Sequence, residues 1–349
     1  MRTTRAYGAQ GSEKELTLRT IERRDPRLDD VAVRVTYCGV CHSDLSALHA
    51  HAADGDGLLV PGHEFVGEVV AVGDAVTRFA VGDQVAVGNI VDSCGTCAMC
   101  RAGQENFCAE FPTLTYGGRD RHDGSTTLGG YSGEYVVREN FVYHRPAHLD
   151  PAAVAPLLCA GVTVWEPLRR WAAGPGMTVG VAGLGGLGHL AVRLAAALGA
   201  RVVVLTRTPG KADDARALGA DDVVVTTDDT DLARAAGTID LLIDTISARH
   251  DLGPLLRLVA LDGTLVSLGW LGPVSLETPD LLIGRKSLAS AGSGGRPRTQ
   301  ELLDFCGERG ITADVEVLPS AQVATALRRL AANDVRYRFV LDLSDLSAA

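Results

Sequence analysis

The sequence lacks several things, and each absence removes a class of function. It has no excess of positive charge. Its 33 Lys and Arg stand against 43 Asp and Glu, a formal net charge of −10, so the basic footprint of a nucleic-acid-binding protein is missing. The first residues, MRTTRAYGAQGSEKELTLRT, hold no apolar core segment, which is not the pattern of a secretory leader. No apolar run is long enough to span a bilayer. The longest region is broken by many glycines, His189 and Arg193, so it reads as two strands and a helix. There is no internal repeat, low-complexity tract or long run of like charge. What remains is ordinary for a soluble globular chain: 349 residues, 46% hydrophobic and 22% charged. That length is enough for two domains, and a cytoplasmic protein without nucleic-acid or membrane partners is expected.

Without an export leader, the eight cysteines are expected in a reducing compartment, where clustering points to metal rather than disulfides. Cys94-x2-Cys97-x2-Cys100-x7-Cys108 puts four thiolates within fifteen residues. Zinc takes four such ligands when its role is structural. The surrounding DSCGTCAMCRAGQENFC has little core of its own, so a metal would hold it together. A redox disulfide pair and an iron–sulfur cluster are the alternatives, and the compact knuckle with no other cofactor signal favours zinc. Cys38, Cys41, Cys159 and Cys306 each fit a small buried hydrophobe as well as a ligand. Cys38-x2-Cys41 also fits a thiol–disulfide pair. A catalytic zinc needs three protein ligands and one open position. Cys41, His63 and Cys159 offer such a set, although spacing alone does not bring them together.

The most organised stretch is 178–211, TVGVAGLGGLGHLAVRLAAALGARVVVLTRTPGK. Thr178–Ala182 reads as a buried strand, and Arg201–Leu205 as a second. Between them, Leu187, Leu190, Ala191, Leu194, Ala195 and Leu198 follow a helical period. Gly183-Leu184-Gly185-Gly186-Leu187-Gly188 is therefore a G-x-G-x-x-G opening a helix inside a βαβ unit. Gly183 permits the tight turn, Gly185 lets backbone approach a pyrophosphate, and Gly188 allows close helix–strand packing. The helix N-terminus offers unpaired N–H groups to the phosphates. A glycine-rich turn that binds nothing is the alternative, and the matched flanks weigh against it. No acid occurs between Gly183 and Asp213, so the usual carboxylate for an NAD ribose is missing. Thr206, Arg207, Thr208 and Lys211 stand there instead, and hydroxyls with two cations suit the 2′-phosphate of NADP(H).

Elsewhere the reading is coarser. Val31–Tyr37 alternates as a strand, Glu68–Val72 is β-rich, and 112–135 is a glycine-rich loop ending in a strand. Pro151–Trp165 reads as an apolar helical segment carrying Cys159. Residues 215–225 read as helix then strand, with further strands at Thr238–Thr245 and Gly263–Gly269 and a helix near Leu255–Ala260. Strands alternating with helices predict an α/β fold with a doubly wound parallel sheet.

Taken together, GVCHSDL, VPGHEFVGEVVAVG, the four-cysteine loop, TYGG…GGYSGEYVV, APLLCAGVTVW, GLGGLGHLAV, RKSLASAGSGG and DVRYRFVLD resemble the zinc-dependent medium-chain alcohol dehydrogenases, in particular their cinnamyl alcohol dehydrogenase-like members. The resemblance runs over nearly the whole chain. It implies a GroES-like β-rich catalytic domain from 1–153 and 290–349, and a Rossmann domain for NADP(H) at 154–289, with the active site in the cleft between them. It implies two zincs per chain. Cys41, His63 and Cys159 would hold the catalytic one, with Glu64 as a carboxylate that can replace water, and Cys94, Cys97, Cys100 and Cys108 the structural one. Asp44 would orient His63, Ser43 would pass a proton, His42 would face the cofactor pyrophosphate, and Thr163 would neighbour the nicotinamide. Thr206, Arg207, Thr208 and Lys211 match the 2′-phosphate region.

The activity so implied is interconversion of an aldehyde and a primary alcohol by hydride transfer, in a homodimer joined through the nucleotide domains. Two departures stand out. Ser46 occupies the position where the family commonly ends its proton relay with histidine, leaving His49, His51 or the cofactor ribose to complete it. Gly292–Gly295 lacks the aromatic wall of lignin-type members, which predicts a wider or differently shaped pocket. The altered relay leaves open a reductase of an iminium ion or conjugated C=C bond. A non-catalytic NADPH-binding protein is the reading from another class, and it would not need Cys41, His63, Glu64 and Cys159 together.

Overall fold

The structure, a computed structural model, describes residues 1–269 and 271–347; the last two residues of the expected 290–349 segment lie outside it. The chain divides into two compact units. One comprises residues 1–159 and the segment from Gly294 onward, and the other comprises Ala160–Ser293.

The first unit is built on the Asp30–Val40 strand. Val31, Val33, Val35, Cys38 and Val40 are fully buried in it, as expected of a central strand covered on both faces. It pairs antiparallel with Phe65–Val72, with Glu134–Arg138 and with Arg338–Asp342. Gln84–Val87 and Val142–His144 extend the sheet on one side, and Val315–Pro319 lies parallel to Arg338–Asp342 on the other. Arg2–Gln10 forms a smaller sheet with Thr17–Arg23 and Leu58–Leu59. One apolar cluster runs through the unit, from Ala6 and Ile21 through Val33, Phe65, Tyr131 and Phe141 to Phe339 and Leu341. Residues far apart in sequence are thus fixed in one rigid β body.

The second unit is a six-stranded parallel sheet. Numbered by chain order, its strands Thr178–Ala182, Arg201–Thr206, Asp222–Val225, Ile239–Asp244, Val259–Ser267 and Ser287–Ser290 lie in the order 3-2-1-4-5-6. This is the doubly wound order whose ligands bind at the carboxyl ends of the strands, where the order reverses. The Gly188–Ala197 helix connects the first two strands, with Leu190, Ala191, Leu194 and Ala195 fully buried. Both strands and the helix lie where the periodicity puts them.

The segment expected as one helix, Pro151–Trp165, is instead broken. A short helix at Pro151–Val154 passes into a 3-10 turn at Ala155–Leu158, and a new helix starts at Ala160. Pro156 lies in the turn and Cys159 at the break, with φ −126° and ψ −73°, outside the helical region. Periodicity registered the apolar content and missed the interruption. Among the described residues no single helix is long and apolar enough to cross a membrane.

Candidate metal and cofactor sites

Cys41 ends the central strand and caps the next helix, His42–Asp54. Its backbone N–H donates to Asp44 Oδ2 at 2.9 Å, one half of a capping box. His63 follows Gly62, whose φ of +97° is open chiefly to glycine and where a Cβ would run into Tyr131. Asp44 Oδ1 lies 3.0 Å from His63 Nδ1 and also accepts the Gly62 N–H at 3.0 Å. The ring is thereby held with Nε2 3.2 Å from Cys159 Sγ, and the Cys41 and Cys159 sulfurs are 3.9 Å apart. All three ligand atoms lie within 4.8 Å of one another. A disulfide needs about 2.05 Å. Two sulfurs on one tetrahedral zinc, each at about 2.3 Å, sit about 3.8 Å apart. The set fits a metal with one position left open.

The charges fit as well. A hydrogen bond shared with Cys159 holds the Cys41 thiol well below its ordinary pKa against the opposing effect of burial, and Arg338 and His63 add to it. The same bond and burial hold Cys159 well above. Burial pushes His63 down, but the Asp44 carboxylate and Cys41 outweigh it and hold the imidazole well above its usual value. A bound metal takes the place of these protons.

Glu64 is fully buried, yet it stands outside the three-atom group, which differs from its expected place among the ligands. The reason is Arg338, also buried, whose guanidinium holds Glu64 Oε1. Burial pushes the carboxyl up to about 7 against the pull of that cation. Its Oε2 has no hydrogen-bond partner among the described residues. Ser43 is exposed, with Oγ 3.7 Å from Cys41 Sγ. His42, Ser46 and His49 are exposed on the same helix. Among the described residues no hydrogen bond joins Ser43 to Ser46, His49 or His51, so the structure does not complete the relay.

The second metal group is the expected one. Cys94, Cys97, Cys100 and Cys108 bring four sulfurs together within 4.8 Å. Backbone N–H groups donate to them: Cys97 to Cys94 Sγ at 3.3 Å, Cys94 to Cys108 Sγ at 3.4 Å, and Cys100 and Ala109 to Cys97 Sγ at 3.5 Å each. Such bonds, led by that from Thr96, lower Cys94 to about 6, while burial pushes Cys100 up to about 12. Glu105 accepts from the N–H and guanidinium of Arg296. A Cβ at Gly295 would overlap the Gly103 carbonyl, so this glycine of the late run serves close packing against the cysteine lobe.

In the second unit, Gly183 has φ +90° and donates to the Leu205 carbonyl at 3.1 Å. A Cβ on Gly188 would overlap the Gly183 carbonyl, whereas one on Gly185 would meet nothing within 4 Å. The backbone at Gly185 is open, with Gly186 and Leu187 half-buried beside it. Thr206 Oγ1 accepts the Thr208 N–H at 3.1 Å, fixing the turn that presents Arg207, Thr208 and Lys211 to solvent. Lys211 Nζ donates to the Leu184 carbonyl at 3.3 Å. Thr163 Oγ1 accepts from Ser293 N–H at 3.2 Å.

Sequence reasoning missed two residues that touch this machinery. Arg338 lies in the late DVRYRFVLD motif and Tyr131 in GGYSGEYVV; both motifs were visible, but nothing in their spacing named a partner.

Known proteins resemble this chain over nearly its whole length. Residues 27–147 match the alcohol dehydrogenase GroES-like domain, and residues 186–308 match the zinc-binding dehydrogenase domain. The chain is 45% identical over 343 residues to the aldehyde reductase YahK of Escherichia coli, covering 97% of each. It is 46% identical over 349 residues to an NADP-dependent alcohol dehydrogenase C of Mycolicibacterium smegmatis, covering 99% of each. Among solved structures, a cinnamyl alcohol dehydrogenase from Sorghum bicolor superposes with a TM-score of 0.94 at 43% identity, over 100% of this chain and 99% of that one.

Proposed function

The chain belongs to the zinc-binding alcohol dehydrogenases with a GroES-like domain, and from that premise we propose that it interconverts an aldehyde and a primary alcohol by hydride transfer with NADP(H). The observation that carries the reading is the convergence of the Cys41, His63 and Cys159 ligand atoms to within 4.8 Å of one another, three ligands for a metal that takes four. An aldehyde reductase and an NADP-dependent alcohol dehydrogenase among the relatives support the reaction and the cofactor.

Cys41, His63 and Cys159 would hold a catalytic zinc, and Cys94, Cys97, Cys100 and Cys108 a structural one. When bound, the zinc supplies a Lewis acid for the carbonyl oxygen and the nicotinamide supplies the hydride. Asp44 orients His63 through Nδ1. Ser43 Oγ, exposed beside Cys41, passes a proton to the oxygen as the alcohol forms. Glu64, held by Arg338, keeps a carboxylate near the ligands without occupying the open position. Gly183–Gly188 receives the pyrophosphate. Thr206, Arg207, Thr208 and Lys211 receive the 2′-phosphate, and Thr163 lies by the nicotinamide.

The two units correspond to a catalytic and a nucleotide domain. Two thiolate-rich metal groups suit the reducing cytoplasm. The exposed edge strand Ser287–Ser290, with Leu261, Leu282 and Ile283 also exposed in this unit, supports a homodimer joined through the nucleotide units.

The test measures zinc per chain and NADPH consumption against a panel of small aldehydes, each paired with its imine. Two zincs and aldehyde turnover are expected, and Cys159→Ala and His63→Ala should each lose one zinc and the activity. Turnover retained with either variant would overturn the ligand assignment. Turnover of the imines alone would move the reaction to an iminium substrate. One zinc, confined to the cysteine lobe, with no turnover would favour a non-catalytic NADPH-binding protein.

A further inference from the structure

The segment Leu128–Glu134 carries a motif, GGYSGE, that the ligand set leaves without a role, and it is one of the most tightly bonded pieces of the first unit. Its backbone is laced to the residues just before His63: Gly129 N–H to Val60 O at 2.6 Å, Tyr131 N–H to Pro61 O at 2.9 Å, and Gly130 N–H to Gly62 O at 2.8 Å. A Cβ on Gly129 would overlap Pro61 and one on Gly130 would overlap the Phe65 ring, so only glycine permits this approach. Tyr131 is fully buried, and its hydroxyl donates to Asp44 Oδ2 at 3.0 Å. Asp44, also fully buried, is the carboxylate on His63 Nδ1. It therefore receives the Cys41 and Gly62 N–H groups, the His63 ring and the Tyr131 phenol together.

The other side of the segment is fixed by Arg23. This buried guanidinium donates to the Leu128 carbonyl at 2.6 Å, the Gly129 carbonyl at 2.8 Å, the Glu134 carbonyl at 2.9 Å and the Ser132 hydroxyl at 2.7 Å. It also lies over the Tyr135 ring at 4.6 Å. The buried cation is satisfied by three carbonyls and one hydroxyl, as a buried charge must be.

We infer that Tyr131 is a positioning residue for the catalytic metal. Arg23 clamps Leu128–Glu134, the clamp fixes the Tyr131 phenol, the phenol fixes Asp44, and Asp44 fixes His63. A ligand's hydrogen-bonded supports set its affinity for the metal, and losing one costs about 10- to 100-fold. With the phenol gone, Asp44 Oδ2 loses its 3.0 Å partner, and the carboxylate, still bound by the Cys41 and Gly62 N–H groups, holds Nδ1 less firmly. The inference rests on the zinc reading above, and its test separates the two.

The experiment compares Tyr131→Phe with Tyr135→Phe in the zinc-loaded full-length chain. Tyr135, the residue after this segment, is a similarly buried phenol, and it donates to the Thr115 carbonyl at 2.8 Å, away from Asp44. Each variant loses one buried phenol donor, which Tyr131 shares between Asp44 and the Gly39 carbonyl at 3.4 Å, so a purely structural effect moves both alike. Zinc release to a chromogenic chelator is followed per folded chain and resolved into its phases. Tyr131→Phe should release one zinc about 10-fold or more faster, leave the slow cysteine-lobe phase unchanged, and lower kcat more than the KM for NADPH. Tyr135→Phe should match the parent chain. Equal release from all three, or the same acceleration in both variants, would overturn the role given to Tyr131. A parent chain that never holds a second zinc would overturn the zinc reading itself.

Discussion

Lys211 donates a hydrogen bond to the Leu184 carbonyl, 3.3 Å away. The cation that follows the second strand of the parallel sheet is thereby held against the glycine turn, while Arg207 stands exposed at the strand end. A charged hydrogen bond contributes about 1.5–3 kcal/mol. Arg207→Ala is therefore expected to weaken NADPH binding by about 10- to 150-fold and to leave NADH nearly unchanged. Lys211→Ala should show the same preference with some loss for NADH, since it also loosens the turn. Fluorescence titration with both cofactors decides it, and equal losses would refute a 2′-phosphate site.

The glycines of that turn divide by role, and alanine separates them. Gly185 has open space where a Cβ would go, and Gly188 has the Gly183 carbonyl. Gly185→Ala should fold with an unchanged melting temperature and lose most cofactor binding, because the methyl occupies the approach to the pyrophosphate. Gly188→Ala should destabilise the nucleotide unit, by about 1–3 kcal/mol as overpacking does. Thermal melts with and without NADPH read both; a stable, cofactor-binding Gly185→Ala would contradict the turn's assignment.

Arg338 and Glu64 form an ion pair that is almost wholly out of water. Removing one partner of such a pair costs about 3–5 kcal/mol, because the other charge stays buried alone. Arg338→Met is expected to destabilise the first unit by that amount in urea unfolding. Adding Glu64→Gln should recover most of the loss. If the double variant is as unstable as the single one, the packing of the arginine rather than its charge is what matters.

Acid should loosen the first unit through Asp120. Burial alone would raise its carboxyl, but Arg27, the N–H groups of His122 and Asp123, and Arg24 outweigh it and hold it down at about 2. A depressed folded-state value means that the ionised form stabilises the fold. The contribution is complete above the ordinary carboxylate pKa of 3.8 and fades as the pH falls toward 2. Asp120→Asn should thus be less stable than the parent at pH 5, with the gap closing by about pH 2–3. A gap that stays constant with pH would show that the carboxylate charge is not involved.

Local patterns in the chain reported what local physics controls. Thr178–Ala182, the glycine turn and the following helix depend on neighbours in sequence, and they appear where periodicity puts them. The four-cysteine knuckle is equally local. Cys41, His63 and Cys159 are not: a strand end, a positive-φ glycine and a broken helix deliver them, and none of these is a spacing. The break at Cys159 has no signature in periodicity, because apolar content on both sides is alike and one proline is a weak warning. Tyr131 and Arg338 were harder still, since each acts on a partner some 90 or 270 residues away. Long-range hydrogen bonds of this kind leave no periodic trace in a single sequence.

The Arg338–Asp342 strand has a consequence for how the molecule is made. It sits inside the larger sheet, between Asp30–Val40 and Val315–Pro319, yet it leaves the ribosome after all eight cysteines and the entire parallel sheet. Domains fold as units during synthesis, so the nucleotide unit can close while the β body still waits for its central neighbour. Until then the sheet edge at Val40 is unpaired and Glu64 is without its cation. Nascent chains stalled before residue 338 would therefore carry a finished cofactor half and an open half that holds the thiols and an unpaired sheet edge, open to oxidation and aggregation.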